Sequence, residues 1–481
     1  MSFPATTHPL RTRRLGAGFR ATLAALSLTA AGSAHAYLTV GPHGAYASIQ
    51  DAVNAAIAAG GDEVRVENCV ALCMWLQRVD FETTASIQLS GGWAADFQSQ
   101  IPDYTTHLIG TGEDAPTIRA IARGSAIVSV NRFALDGTGN SGSGSSGFHT
   151  RGLLGAAYEN ATLVIADNLV YGNVVYTSSS ALPHGGAGAA VQASDNGVIA
   201  MAGNRFEANQ LIGTDGQAAY GSGAFVTSLV NGHVDFVANT LVTNVTSNSS
   251  GGGCRGGGLF ASAIDASSVQ LRANDYTGNA QLFCTNGATG DAAEISAFST
   301  ALVEVYDETW TNNRVDNDPG VYQVFMQADV ASTILAQNGL ITHGTWGGLF
   351  ANAIASATID ISNYTIADNP VLGFRGIGGG TQIWNTLFWN NGGDAPDLEG
   401  GATEAFCLAG TDPAFVDAGN GNYALSPGSP AIDAGSNSPP GGLRPFDIAG
   451  HPRPYNGVAD IGAYEFQGVV NDRIFADAFD G

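Results

Sequence analysis

Asn204-Arg-Phe-Glu-Ala-Asn209, Asn239-Thr-Leu-Val-Thr-Asn244 and Asn274-Asp-Tyr-Thr-Gly-Asn279 are copies of one pattern, Asn-x-apolar-x-x-Asn, set 35 residues apart. The pattern extends both ways along the chain. It starts at Asn131, Asn168, Asn204, Asn239, Asn274, a degenerate Glu308, Asn338, Asn363 and Asn385, at spacings of 37, 36, 35, 35, 34, 30, 25 and 22 residues. A second motif keeps step with it. Gly188-Ala-Ala-Val, Gly223-Ala-Phe-Val and Gly258-Leu-Phe-Ala each precede the asparagine by 16 residues, and Gly348-Leu-Phe-Ala does so by 15. Two phase-locked motifs with a period of this length mark a stacked repeat.

Short alternating strands lie between the motifs, among them Val234-Asp-Phe-Val, Val269-Gln-Leu-Arg, Val303-Glu-Val-Tyr and Ile359-Asp-Ile-Ser. Each sends every second side chain to one face. A coil of two or three such strands cannot bury that face alone, but stacking coils makes one continuous core. The expected fold is therefore all-β: a right-handed parallel β-helix solenoid with an N-terminal helical cap and a small C-terminal capping domain. The asparagines Asn131, Asn168, Asn204, Asn239, Asn274, Asn338, Asn363 and Asn385 are expected to form a structural ladder. Asn tolerates the left-handed backbone of a turn, and equivalent amides one coil apart can hydrogen-bond along the stack. A period of 22 residues is near the minimum for a three-sided coil. The longer early coils should thus carry roughly 10 to 15 extra residues as Gly/Ser-rich loops on one flank, the first place to look for binding.

The first 36 residues combine Arg11, Arg13, Arg14 and Arg20 with an apolar run from Ala21 to Ala31 and end in Ala34-His35-Ala36, the pattern of a cleaved signal peptide. No later stretch is apolar enough for a membrane helix. The chain has no lysine, and its 18 basic residues are all arginine; four lie in the signal, leaving 14 against 42 carboxylates, a net charge near −28. Such a surface excludes nucleic acid as a partner. A polysaccharide or cell-surface glycan is the expected partner, and the oligomeric state is left open. With 65 glycines and only 12% charged residues, the composition fits short strands and tight turns rather than helices or disorder.

In an exported chain cysteines pair. Cys254 and Cys284, 30 residues apart, could bridge neighbouring coils, and Cys69 with Cys73 could close a small loop, which leaves Cys407 unassigned. Without a Cys-x-x-Cys pair no metal centre is expected. The acidic turns offer oxygen ligands for calcium, without the Gly-Gly-x-Gly-x-Asp repeat that would organise them; no other cofactor is indicated.

The chain divides into a signal peptide (1–36), an N-terminal cap and first coils (37–125), the repeats (126–400), a C-terminal domain (401–467) and a tail (468–481). Ala47-Ser-Ile-Gln-Asp-Ala-Val-Asn-Ala-Ala-Ile-Ala-Ala reads as an amphipathic helix stopped by Gly60-Gly61, and Val64-Arg-Val-Glu as the strand after it. This opening resembles that of the pectate-lyase-like β-helix superfamily. Leu89-Ser-Gly-Gly-Trp-Ala-Ala-Asp-Phe is similar to a signature of exported bacterial β-helix proteins. Asp412-Pro-Ala-Phe-Val-Asp417, Gly421-Asn-Tyr-Ala-Leu-Ser-Pro-Gly-Ser-Pro-Ala-Ile-Asp-Ala-Gly435, Gly450-His-Pro-Arg-Pro and Asp460-Ile-Gly-Ala-Tyr-Glu465 resemble the choice-of-anchor Q domain, over residues ~410–466. That resemblance implies export and surface sorting and no chemistry. The tail, Asp472-Arg-Ile-Phe-Ala-Asp-Ala-Phe-Asp480, is similar to short aromatic and acidic C-termini of secreted proteins in some Gram-negative bacteria. A secreted or cell-surface location in such a bacterium is the expectation.

The superfamily includes lyases and hydrolases, so catalysis must be sought residue by residue. The Asp-Asp, Gly-His-Gly and Arg-x-Lys set of polygalacturonases is absent, as is the Arg-x-Pro-x-x-Arg of pectate lyases. Asp235, Glu304, Asp307 and Asp360 are candidates for a carboxylate pair, although outward acids on strands are usually just solvated. His343 with Arg314 or Arg375 could serve a uronate, against the plainer role of a stacked ladder position for His343. Trp346 and Trp389 are candidate sugar-stacking rings, while Trp310 falls at an inward position and Trp384 accompanies them. The favoured expectation is an adhesin-like or glycan-binding scaffold without catalysis; the alternative is a polysaccharide lyase or glycoside hydrolase.

Overall fold

The computed structural model describes residues 37–468 except 69–73, 102–104, 112–114, 139–140, 145–149, 178–183, 215, 285–286, 317–319 and 393–397. The chain winds into a parallel β-helix. One representative coil runs through strands Ala224–Leu229, His233–Val237, Thr240–Val242, Val245–Asn248 and Cys254–Arg255, and the next begins at Leu259–Ile264. Each strand hydrogen-bonds to its counterparts one coil away, which gives, among the described residues, five parallel sheets, here I to V in the order of that coil, with 11, 13, 11, 6 and 4 strands.

Sheets IV and V explain the shrinking period. The extra residues of the early coils are not only loops: they add two short sides, and sheet IV ends at Arg314–Asp316 and sheet V at Ala288–Thr289. Later coils have three sides. The disulfide Cys254–Cys284, with Cα atoms 5.7 Å apart, ties two neighbouring five-sided coils together where sheet V runs. Cys69 and Cys73 lie outside the described residues, and Cys407 is a free, half-buried thiol packed against the core.

Inward positions form one long apolar core. Ala224, Val226, Val234, Phe236 and Leu241 of the representative coil are all wholly buried. Trp310 is likewise core, stacked 5.6 Å from Tyr276 and 6.3 Å from Tyr364. At the N-terminal end the one α-helix among the described residues, α1 (Ile49–Ala58), is capped by Ser48, which accepts from the Asp51 N–H, and buries Ile49, Ala52, Val53 and Ala56. It covers strand edges that would otherwise lie open.

The asparagine pattern builds two ladders. Asn168, Asn204, Asn239 and Asn274 pass amide hydrogen bonds of 3.0–3.2 Å from coil to coil, and Asn274 donates to Glu308 at 2.8 Å. Asn173, Asn209, Asn244, Asn279 and Asn313 form the second, at 2.9–3.0 Å. Where the second meets Gly344, the missing side chain leaves room for Gln323, which accepts from Asn313 at 3.0 Å and donates to Asn369 at 2.9 Å. Asn369 then donates to Asn391 at 2.9 Å.

Four of the expected members belong elsewhere. Asn131 ends a strand two positions too early, and Phe133 takes the ladder position, its N–H bonded to Asn168 at 3.0 Å. Asn338, Asn363 and Asn385 sit one residue before it, in register with Asp307 and Ala273, and carry the left-handed φ of 59°, 57° and 46°. Gly339, Tyr364 and Thr386 hold the inner positions, and a side chain on Gly339 would collide with the Tyr364 ring. The repeat thus divides between adjacent residues two jobs that the pattern assigns to one: a left-handed turn residue facing out, and an amide facing in.

Those outward asparagines fasten the C-terminal segment along the flank of the last coils. Asn338 donates to Phe446 O at 2.8 Å and accepts from Arg453 at 2.9 Å, Asn363 faces Asp460 O at 3.4 Å, and Asn385 exchanges 2.7 and 2.8 Å bonds with Ser436. Arg453 and Glu465, both in the motifs quoted above, form a wholly buried ion pair at 2.9 Å. Leu340, Ala367 and Leu387 from the outer face of sheet III supply the apolar seat. Among the described residues no helix is long and apolar enough to cross a membrane.

Candidate functional site

Outward positions of sheet I recur once per coil and so line up in files. One file reads Leu154, Ala190, Phe225, Phe260, Glu294, Phe325, Phe350 and Arg375. Two residues further along each strand a second reads Gln192, Thr227, Ser262, Ser296, Gln327 and Asn352. A third includes Leu229, Ile264 and Phe298. Sheet V adds a wall, with Tyr220 set edge-on 4.8 Å from Phe260 and Arg255 over the Tyr220 ring at 5.9 Å. The result is a trough of 490 Å³ with an apolar floor and a hydroxyl- and amide-bearing strip. That volume is within the range of ligand sites.

Phe225 and Phe260 stack at 5.2 Å, nearly parallel, and are only 4% and 8% exposed, so they present edges rather than faces. Glu294 interrupts the aromatic file. Its side chain is wholly buried, bonded to Arg255 at 2.9 Å and to the Thr289 hydroxyl. Burial pushes its carboxyl above the ordinary range, opposed by Arg255 and Thr289. Arg255 keeps a partly exposed guanidinium at the rim, held in place by Glu294 and Tyr220. A hollow of 540 Å³ near α1 is larger but is lined by Glu82, Arg123, Gly60 and residues 83–85 with Ile57 as its one large apolar side chain, and the Glu82–Arg123 ion pair spans it.

The residues singled out from the sequence are scattered over other faces. Asp235, Glu304 and Asp360 share one outward file of sheet II with Gln270 and Leu335 between them, two coils apart. The backbones of consecutive acids in the file are thus about 10 Å apart, and those of Asp235 and Asp360 about 19 Å, so no two of these acids sit on neighbouring coils. Glu304 is also held by Tyr306 at 2.7 Å and Gln270 at 3.1 Å, and Asp235 by His233 at 3.0 Å. Asp360 is half-buried beside Leu335, against which Gly441 packs, and burial raises its carboxyl. Asp307 is bound by Arg444 and Asn338, both at 3.0 Å. His343 is not a ladder residue: it is a left-handed, outward turn residue 3.4 Å from Tyr423, whose hydroxyl donates to Asp368. Arg314 lies on sheet IV and Arg375 on sheet I.

Trp389 does point outward, but it packs into the clusters that seat the C-terminal segment. Trp346 is half-buried just before the strand Gly347–Ile354 of sheet I. Trp384 packs on Phe406 at 5.6 Å. Among the described residues there is no group of three His, Cys, Asp or Glu side chains that could hold a metal. Sequence reasoning overlooked the aromatic file, although its signal was present: the third residue of Gly-Ala-Phe-Val and Gly-Leu-Phe-Ala is Phe225, Phe260 and Phe350.

It also overlooked one cluster of hydrogen-bonded titratable side chains on sheet III. His107 Nε2 is 2.8 Å from Asp136 and 3.1 Å from the Tyr171 hydroxyl. Burial favours the neutral Asp136 carboxyl, yet hydrogen bonds from Thr138, Tyr171 and His107 hold it below its ordinary value.

No family model and no curated protein matches this sequence.

Proposed function

We propose that the protein is an exported β-helix scaffold of the pectate-lyase-like kind that binds a polysaccharide or cell-surface glycan without cleaving it. The trough on sheet I carries this reading. It offers an apolar floor beside a row of hydroxyl and amide groups, the pairing of surfaces that a sugar chain presents in return. The candidate carboxylates stand apart from it, engaged in local bonds or in seating the C-terminal segment. That segment acts as a choice-of-anchor Q module, sorting the protein to the surface of a Gram-negative bacterium after removal of residues 1–36.

The test is a glycan panel incubated with purified protein, with and without calcium, read for binding and for new reducing ends or unsaturated uronate. Binding without cleavage, weakened in Phe260→Ala, is the expected result. Cleavage of any polymer would overturn the non-catalytic reading. One observation favours that second reading, the His107–Asp136–Tyr171 cluster, so His107→Ala is its diagnostic variant. Cell fractionation with and without residues 412–466 tests the sorting role.

A further inference from the structure

The trough has a period, and the period constrains what fits it. Neighbouring coils are about 4.8 Å apart along the axis. The aromatic file is built in two matching halves. Tyr220 stands edge-on to the stacked pair Phe225–Phe260, and Tyr322 lies 5.4 Å from Phe350, which stacks on Phe325 at 5.1 Å. Glu294 separates the halves on the coil between them. Beside this file, Thr227, Ser262, Ser296, Gln327 and Asn352 place one hydroxyl or amide side chain per coil, buried at Thr227, Ser262 and Ser296 and half-buried at Gln327 and Asn352.

We propose that the trough, lined from Gln192 to Phe298, together with the continuation of its two files to Phe350, binds a neutral polysaccharide laid parallel to the helix axis, one sugar per coil, across the five coils from Phe225 to Phe350. The proposal rests on the reading of the trough as a glycan site and names its ligand class. Charge is the first reason. The chain carries a net charge of −24, yet the ten positions of the two files between those coils hold one charged residue, Glu294, and it is buried and paired with Arg255. A polyanion would be repelled on approach and would meet, between those coils, a cation already engaged. A polycation would be drawn to the acidic surface elsewhere and would find no accessible carboxylate in the strip.

Hydrogen-bonding chemistry is the second reason. Hydroxyl and amide side chains both donate and accept, which matches sugar hydroxyls that do the same, whereas a carboxylate ligand only accepts. Spacing is the third. An extended chain of β-1,4-linked pyranoses advances by about one strand spacing per residue, so each sugar faces one polar side chain, and a ring edge on every coil but that of Glu294. Electropositive ring edges suit the oxygen-rich rim of a sugar.

Calorimetric titration with cello-, xylo- and manno-oligosaccharides of two to eight residues tests this, alongside hexagalacturonate and fully deacetylated chitohexaose. A neutral series is expected to bind with affinity that climbs to about five residues, one per strand spacing, and then levels off. Binding should be indifferent to salt. Phe260→Ala and Phe350→Ala should each weaken the hexasaccharide about tenfold. Gln327→Ala, which leaves the apolar floor intact, should weaken it by a smaller factor and guards against a folding defect. Tighter binding of hexagalacturonate in the trough, or an affinity already level at two residues, overturns this proposal while sparing the glycan reading. Glycan binding unaffected by any of the three variants places the site elsewhere and overturns it as well. If no probe of any charge binds, the glycan reading itself falls, and this proposal with it.

Discussion

Replacing Asn244 with alanine removes the central rung of the second ladder. Its Oδ1 accepts from Asn209 N at 3.1 Å and Asn209 Nδ2 at 3.0 Å; its Nδ2 donates to Phe206 O at 3.0 Å and Asn279 Oδ1 at 2.9 Å. Truncation orphans the Asn209 peptide N–H and takes from the Phe206 carbonyl its side-chain donor. Asn209 Nδ2 still reaches Val170 O at 3.0 Å, and Asn279 Oδ1 still accepts from Asn244 N at 3.1 Å. One stranded backbone group costs about 1–3 kcal/mol, so the expected loss is about 2–4 kcal/mol once the weakened partners are included. That is a large share of the roughly 5–15 kcal/mol that holds a domain folded. With a urea slope of about 3 kcal/mol per molar or more for a chain of this size, the midpoint should fall by about 1 M. Because coils couple mainly to their neighbours, hydrogen exchange should show the lost protection centred on the coils of Asn209, Asn244 and Asn279. Asn244→Asp is the second arm. It preserves shape but turns an oxygen toward two acceptors, so its stability should fall as pH rises through the ordinary carboxylate range. A change under about 0.5 kcal/mol for Asn244→Ala would refute the ladder as a fastening.

Arg453→Leu leaves Glu465 buried without its cation and should cost about 3–5 kcal/mol, seen as early proteolytic release of the C-terminal segment. The double variant Arg453→Leu/Glu465→Leu should be milder, and equal losses would count against the buried pair. Burial lifts the Asp460 carboxyl to about 6, above its unfolded value, so the folded form holds the proton more tightly. Attachment of the segment should therefore weaken as pH rises from about 4 to about 6, and Asp460→Asn should flatten that window; a rise in stability across it would contradict the assignment. Glu308, wholly buried, has its carboxyl raised well above the ordinary range by desolvation. Its stabilising proton is lost as pH climbs, so the advantage of Glu308→Gln over the natural protein should grow from pH 5 toward pH 9 by thermal melts, and a constant difference would argue against it.

The repeat was legible because a solenoid repeats its local chemistry once per coil. Glycine and asparagine had to recur in phase, and alternation within each strand separated core from surface. The bridge Cys254–Cys284 followed from the same period. What misled was a one-residue ambiguity. Asn suits both a left-handed turn and an inward amide, so Asn338, Asn363 and Asn385 read as ladder members although they face outward. The same slip put His343 in the ladder.

The candidate site was harder to read. Glu304, Asp307 and His343 carry chemistry in isolation, but their partners, Tyr306, Arg444 and Tyr423, are set by folding, and two of the three come from more than 75 residues away. Period and alternation are local properties, and they settle in one dimension that the chain is a β-helix and which side of each strand is apolar. Which outward files stay open to a ligand and which are covered is a matter of long-range packing. Sheet III lost its open face at Leu340, Ala367 and Trp389 to the C-terminal segment, whereas sheet I retained the trough over Phe225 and Phe260, because the folded chain returned along one flank and not along the other.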